Sequence, residues 1–376
     1  MMDFDFVVLP TLIFVVGVLV IWLSLRRLRS HSTKSYRTWR KIVERIALSV
    51  VVLLAAGLAG SSAYNTIVLH HFWATNSPPG VIYSVDGHRM HIVCTGSGSP
   101  TIVLEAAFGN DALTWGGVQP VLSSTTRTCS YDRAGFGWSD PVPTPRDADH
   151  IAAELHELLL QAQVTGPIVL MGHSLAGMYI RDYATRYPEG IVGIVFEDAS
   201  TPLQDENPVN KALESKVPPR WALEPLAKSA MSMGIPRLIG MCSQSIKGFD
   251  AQAAKLQGED ICRTHISQMF DYWDGINRSG HETAHTGPYG ALPILIFSED
   301  PSTRPAGAEN GANVWNQMQE DLKKLSTRSR RIIAKGSSHY VHIDRPDLIE
   351  REVPLFIEQI RGTAPQPDKW GLTITE

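Results

Sequence analysis

Gly172-His173-Ser174-Leu175-Ala176-Gly177 is the stretch of this sequence best equipped for chemistry. It directly follows an apolar run, Pro167–Met171 (PIVLM), and opens a helix-like segment. A serine on such a strand-to-helix turn is pushed out at the top of a sheet, and small flanking residues suit the close approach of strand and helix. The helix start adds partial positive charge beside a forming oxyanion. A serine hydroxyl is a poor nucleophile at neutral pH. It needs an imidazole to take its proton and return it to the leaving group, and a carboxylate to fix the imidazole tautomer. A helix N-cap is the structural alternative for Ser174. A second stretch, His281-Glu282-Thr283-Ala284-His285, formally matches the zinc-peptidase pattern. Gly280, Gly287 and Pro288 leave little room there for the long helix that pattern needs, so no metal or cofactor is expected.

The elements that must hold Ser174 can be read along the chain. Val81–Val85 and His88–Cys94 flank Asp86-Gly87, a hairpin signature. Thr101–Leu104 (TIVL), Arg127–Tyr131, Pro167–Met171, Ile191–Phe196, Pro293–Phe297 and Arg331–Ala334 read as strands, several continuously apolar as in a sheet buried on both faces. Asp147–Ala162, with Ile151, Leu155, Leu158 and Leu159 on one face, reads as a helix, as do Leu175–Tyr187, Ala312–Leu325 and Asp347–Arg361. A hairpin followed by alternating strands and helices predicts an α/β fold, a mostly parallel sheet with helices on both faces. Residues 201–290 break the rhythm and are too long for a plain connection, so they are expected to form a helical cap or lid over the site. Trp221, Met231, Met233, Met241, Met269, Phe270, Tyr272 and Trp273 give that segment either an apolar pocket roof or ordinary packing.

The N-terminal region differs in kind. Phe6–Leu25 is uncharged, a basic stretch follows (Arg26, Arg27, Arg29, Lys34, Arg37, Arg40, Lys41 and Arg45 against Glu44), and Ile46–Leu69 is again free of formal charge. These read as two transmembrane helices, 6–25 and 46–69, joined by a basic loop over 26–45. Short basic loops stay cytoplasmic, which puts everything after about residue 70 on the extracytoplasmic side. One signal anchor plus a buried helix is the alternative, and Ser61-Ser62-Ala63 keeps a cleavage site open. The expected partition is a membrane anchor over 1–72, a core over 73–200 and 291–362, a cap over 201–290 and a flexible tail over 363–376. The chain has 376 residues and a formal net charge of −4, so it has no global basic field for nucleic acid. Its 4 cysteines show no CxxC spacing. In an oxidising compartment Cys94–Cys129 and Cys242–Cys262 are the pairs to test, with four buried thiols as the alternative.

Four motifs in order carry a resemblance: Leu104–Asn110 (LEAAFGN), Tyr131–Ser139 (YDRAGFGWS), Gly172–Gly177 (GHSLAG) and Ser338–Pro346 (SHYVHIDRP). With them, residues 80–361 resemble the α/β-hydrolase superfamily, most closely its lipase- or esterase-like members with a cap. The resemblance implies a triad in the chain order serine, acid, histidine. Ser174 matches the nucleophile and His339 the base. The acid is expected after the penultimate strand, at Asp300 or else Glu299, with Asp198 as an alternative because some relatives place it on the preceding strand. The oxyanion donors it implies are the N–H groups of Leu175 and Phe108. Asp132 and Arg133 read as structural, His173 as packing or hydrogen-bonding beside the turn, and His342 and Asp344 as loop scaffolding. The expected activity is hydrolysis of a small-molecule or lipid-like carboxylic ester through an acyl-enzyme. Acyl transfer and thioester, amide or peptide hydrolysis on the same groups remain open. A non-catalytic binding protein on this fold is the alternative of another class. Serine at the turn argues against epoxide or haloalkane chemistry, where relatives use aspartate.

Overall fold

The computed structural model describes residues 8–30, 38–204, 211, 216–243, 251–263, 265–304 and 309–376. Phe6, Lys34, Arg37 and part of the expected cap lie outside them. The chain runs α1 (Leu9–Ser30), α2 (Thr38–Thr75), β1 (Val81–Val85), β2 (His88–Thr95), β3 (Thr101–Glu105), α3 (Gln119–Thr125), β4 (Thr128–Tyr131), α4 (Ala148–Gln161), β5 (Ile168–His173), α5 (Ala176–Arg186) and β6 (Ile191–Glu197). It continues with α6 (Arg220–Ser232), α7 (Ile235–Leu238), α8 (Ala251–Ile261), α9 (Ile266–Thr283), β7 (Ile294–Ser298), α10 (Glu309–Asp321), β8 (Ser329–Ile333), α11 (Val341–Asp344), α12 (Pro346–Arg361) and β9 (Thr373–Thr375).

Among the described residues the strands form one sheet in the order β1-β2-β4-β3-β5-β6-β7-β8-β9. The β1/β2 and β2/β4 pairs are antiparallel and the rest parallel. Alternation sends neighbouring side chains to opposite faces. Val169 and Met171 join Val195, Leu295 and Phe297 in one core, closed by Leu348, Ile349, Val353, Phe356 and Ile357 of α12. Leu170 joins Val103, Ile194 and Phe196 in the other, closed by Leu155, Leu158 and Leu159 of α4 and by Ile180 and Tyr183 of α5. Asp147 starts α4 by accepting the His150 N–H at 3.2 Å. Cys94 and Cys129 face each other across β2 and β4, with Cα atoms 4.0 Å apart, and are bonded.

Three expectations need correction. The segment after residue 362, expected as a flexible tail, adds β9 beside β8 in the register Ile332↔Ile374. Its Thr-Ile-Thr alternation is too short to register as a strand signal, and Lys323 secures it through Gly371 O and Thr373 Oγ1. The basic stretch is mostly helical, with Arg26, Arg27 and Arg29 on α1 and Arg40, Lys41 and Arg45 on α2. The second apolar helix runs past Leu69 to Thr75, because the linker residues begin only at Asn76.

The contacts divide the chain into two compact units, Met1–Ser77 with Pro219–Ser245 and Ala254–Ser267, and Pro78–Pro218 with Ile246–Ala253 and Gln268–Glu376. The described part of residues 201–290 is helical, and it contributes to both. In the first unit α1 and α2 are long and apolar enough to cross a membrane, by length and composition. They approach closely at Gly17, where a Cβ would lie 3.0 Å from that of Ala59. Cys242 and Cys262 are bonded in this unit. The sheet and all residues discussed next belong to the second unit.

Candidate active site

Ser174 follows β5 with φ +57°, a left-handed conformation that a residue with a side chain rarely adopts. Its amide donates to Glu197 O at 3.0 Å, and its carbonyl accepts from Gly177 and Ser200 N–H at 2.9 and 2.7 Å. Glycine is needed on either side. A Cβ on Gly172 would lie 2.9 Å from Ile180 Cδ1, and one on Gly177 would lie 2.5 Å from Ala199 Cβ and 2.8 Å from Ser200 O.

His339, on the loop after β8, places Nε2 2.8 Å from Ser174 Oγ. Its Nδ1 lies 2.6 Å from Asp198 Oδ2. Asp198 directly follows β6, is fully buried, and has φ +41°. Its second oxygen accepts the Glu299 N–H at 3.0 Å. The expected placement of Asp300 against His339 is therefore corrected. Asp300 turns the other way and accepts the N–H of Ser302 and of Gly336, both at 2.9 Å. The Gly336 amide foremost, with Ser302, holds its carboxyl below the usual range. A Ser-Glu-Asp-Pro sequence makes Asp300 a turn cap whatever else is nearby.

Glu299 flanks the same aspartate. Burial, then the neighbouring Asp198 charge, raises its pKa, and it pairs with Arg304. Arg304 lies over the Trp315 ring at 5.5 Å, and that ring meets His339 edge-on at 5.6 Å.

A second buried chain holds the histidine loop. Glu197 Oε1 accepts from the His342 N–H at 2.8 Å and from its ring Nδ1 at 2.6 Å, and His342 Nε2 reaches Thr114 Oγ1 at 3.1 Å. Burial alone would raise Glu197, but His342 and His173 outweigh it and hold the carboxylate low. His173 Nε2 donates to the His339 carbonyl at 2.9 Å. Burial, with His339 and His342 alongside, pushes its pKa down to about 3. Asp344 accepts the Ser338 N–H at 2.9 Å and closes the loop.

Leu175 is the N-cap of α5, so its N–H is one of the donors a helix start leaves without an internal partner. Phe108 sits in the turn closed by Asn110 N–H to Ala107 O at 3.2 Å, with Gly109 at φ +74°. The buried Arg133 grips this loop through Ala106 O and Ala107 O, at 2.5 and 2.6 Å, and pairs with Glu105 at 2.5 Å. Trp273, from the inserted segment, meets the Phe108 ring at 6.1 Å. Asp132, next to Arg133, accepts from His91 and from the Ala112 and Trp138 amides.

Two clusters, His173–Glu197–His342 and Asp198–Glu299–His339, bring three ligand-type atoms within 4.8 Å of one another. Both ring nitrogens of His339 and of His342 already have hydrogen-bond partners. The other metal pattern is split, because α9 ends at Thr283 between His281 and His285. Glu282 accepts the Asp149 N–H, and burial, with nearby carboxylates, raises it to about 7. Sequence reasoning missed the supporting parts played by Glu197, Arg304 and Trp315. Only Glu197 carried a signal, as an acid ending an apolar strand.

A model described as the alpha/beta hydrolase family matches residues 96–352. A probable transporter of Hormonema carpetanum is 34% identical over 78% of this chain and 45% of its own length. The human (lyso)-N-acylphosphatidylethanolamine lipase is 23% identical over 69% of this chain and 79% of its own. The chain spans 36% and 45% of the length of two curated relatives it matches, the Hormonema protein being the second. Among solved structures, an epoxide hydrolase of Vigna radiata has a TM-score of 0.55 at 17% identity, covering 74% of this chain and 97% of the other.

Proposed function

Since this chain belongs to the alpha/beta hydrolase family, we propose that it is a serine hydrolase that cleaves a carboxylic ester through an acyl-enzyme. The observation that carries this reading is the unbroken Ser174–His339–Asp198 hydrogen-bond chain. His339 Nε2 takes the hydroxyl proton as Ser174 Oγ attacks the carbonyl. The same nitrogen then delivers that proton to the leaving alcohol, and water repeats the sequence on the acyl-enzyme. Asp198 fixes the imidazole with Nδ1 protonated and stabilises the imidazolium. Leu175 and Phe108 N–H are assigned to the oxyanion, a role in which one donor is worth ~3 kcal/mol of transition-state stabilisation.

The substrate class in this proposal is a lipid-like ester. The human relative's name, a lipase, supports it, as do the two membrane-type helices. In this reading α1 and α2 span the bilayer. Their junction, rich in Arg and Lys, faces the cytoplasm, and the sheet lies on the opposite side. The two formed disulfides support an oxidising compartment.

The test is labelling of the full chain with a fluorophosphonate probe. The expected result is labelling of wild type and none of Ser174→Ala, with loss of turnover of short p-nitrophenyl esters. Turnover that survives Ser174→Ala would overturn the proposal.

A further inference from the structure

α2 is longer than a bilayer requires. Its 38 residues extend about 57 Å at ~1.5 Å per residue, whereas a hydrocarbon core of ~30 Å takes ~20 of them. Counted from Ile46, just past Arg45, such a stretch ends near Asn65.

At that level the apolar helix carries Ser61, Ser62 and Asn65, and all three bond to one partner. Ser61 Oγ donates to Met233 O at 2.6 Å, Ser62 Oγ to Ser232 O at 2.7 Å, and Asn65 Nδ2 to Met231 O at 3.3 Å. These carbonyls end α6, where helix geometry leaves the last acceptors short of internal donors, and Met231 O also accepts the Gly234 N–H at 2.9 Å. Supplying donors to them matters most where water is scarce. Asn65 Oδ1 in turn accepts from Arg237 of α7 at 2.9 Å, and Arg237 forks onto Glu259 at 2.8 and 2.5 Å. The Cys242–Cys262 bond ties the turn after α7 to the end of α8, with Leu69 packed on it. Trp73 lies nearby under the Arg263 guanidinium at 4.3 Å. The polar patch of α2 is a socket for α6 and α7.

The same turns of α2 expose Tyr64 and Ile67, at 58% and 66%, and α6 packs on α1 as well as α2. The end of α6 therefore shares a level with side chains that face outward from the membrane helices. On α6 and α7, and just past α7, Leu226, Leu238 and Ile239 are 69%, 65% and 68% exposed. Apolar side chains that open are costly in water. They are stabilised in the interfacial zone, where membrane-surface helices bury one face and aromatic residues collect.

We infer that α6 and α7 lie in the interfacial zone of the bilayer, with Leu226, Leu238 and Ile239 against lipid. The partner is the lipid surface itself, and α2 sets the depth. This rests on the reading that α1 and α2 span the bilayer, and it requires no catalytic step.

The test places an environment-sensitive fluorophore on single cysteines of the full chain, both native disulfides intact, in phosphatidylcholine nanodiscs. Leu54→Cys, on the middle of α2, reports the span. Leu238→Cys reports the inference, and Leu160→Cys, on α4, is the aqueous reference. Lipid-attached quencher is expected to act on the probes at 54 and 238 several-fold more than on that at 160. If the probe at 54 is quenched by lipid and that at 238 by aqueous iodide, the inference is overturned while the span stands. If iodide quenches both, the spanning reading fails and the inference with it. A probe at 238 that neither reaches marks cover by another chain and also overturns it.

Discussion

Asp198 Oδ2 stands 2.6 Å from His339 Nδ1, and the other oxygen of that carboxylate is fixed by the Glu299 amide. Asp300, two residues beyond β7, is committed to two backbone amides instead. Asp198→Asn is therefore expected to lower kcat by on the order of 10⁴-fold through loss of the correct imidazole tautomer. Asp300→Asn should leave turnover near wild type. Side-by-side kinetics on a short ester decide it, and the opposite ranking would return the acid to Asp300.

In the proposed mechanism Arg133 acts only through the loop it holds. Arg133→Lys keeps a cation beside Glu105 but gives up the forked contact with Ala106 O and Ala107 O. The expected outcome is a kcat loss on the order of 10- to 100-fold from a displaced donor at Phe108, with KM for a short ester little changed. A rise in KM alone would show that the loop serves binding rather than the transition state.

Gly177 has no room for a methyl group against Ala199 and Ser200. Gly177→Ala is expected to destabilise the protein by about 1–3 kcal/mol through overpacking, and to shift the turn that carries Ser174. Thermal unfolding together with fluorophosphonate labelling measures the two effects. A variant with unchanged melting and labelling would refute the tight-turn argument.

His173 gives the fold a pH dependence. Its pKa falls from 6.5 to about 3 on folding, so the unfolded chain takes up a proton first as pH drops. Stability is full above pH 6.5 and declines below it, by about 1.4 kcal/mol per pH unit, until the folded protein also protonates. In detergent solution the urea midpoint of wild type should fall more between pH 7 and pH 5 than that of His173→Gln. The difference corresponds to ~2 kcal/mol. Equal shifts in the two proteins would exclude His173 as the source.

Much of this was legible in the residues. Apolar runs such as PIVLM and IVGIVF announced central strands because a sheet covered on both faces leaves no polar side to alternate with. Ser174 was visible because its neighbours are small for a steric reason. The carboxylate beside His339 was not, since one after either β6 or β7 fits the chain order, and it is Asp198, at φ +41°, whose Oδ2 reaches the imidazole. The polar Ser61, Ser62 and Asn65 were equally opaque. Their partners are carbonyls more than 160 positions away, and no local pattern encodes them.

Ser174 and Asp198 each follow a residue of one cross-strand pair, His173 opposite Glu197 on the parallel strands β5 and β6. Their separation is thus set by the rung spacing of a central ladder rather than by loop conformation. On heating, that spacing should outlast any fraying of the periphery and be lost only when the middle of the sheet comes apart.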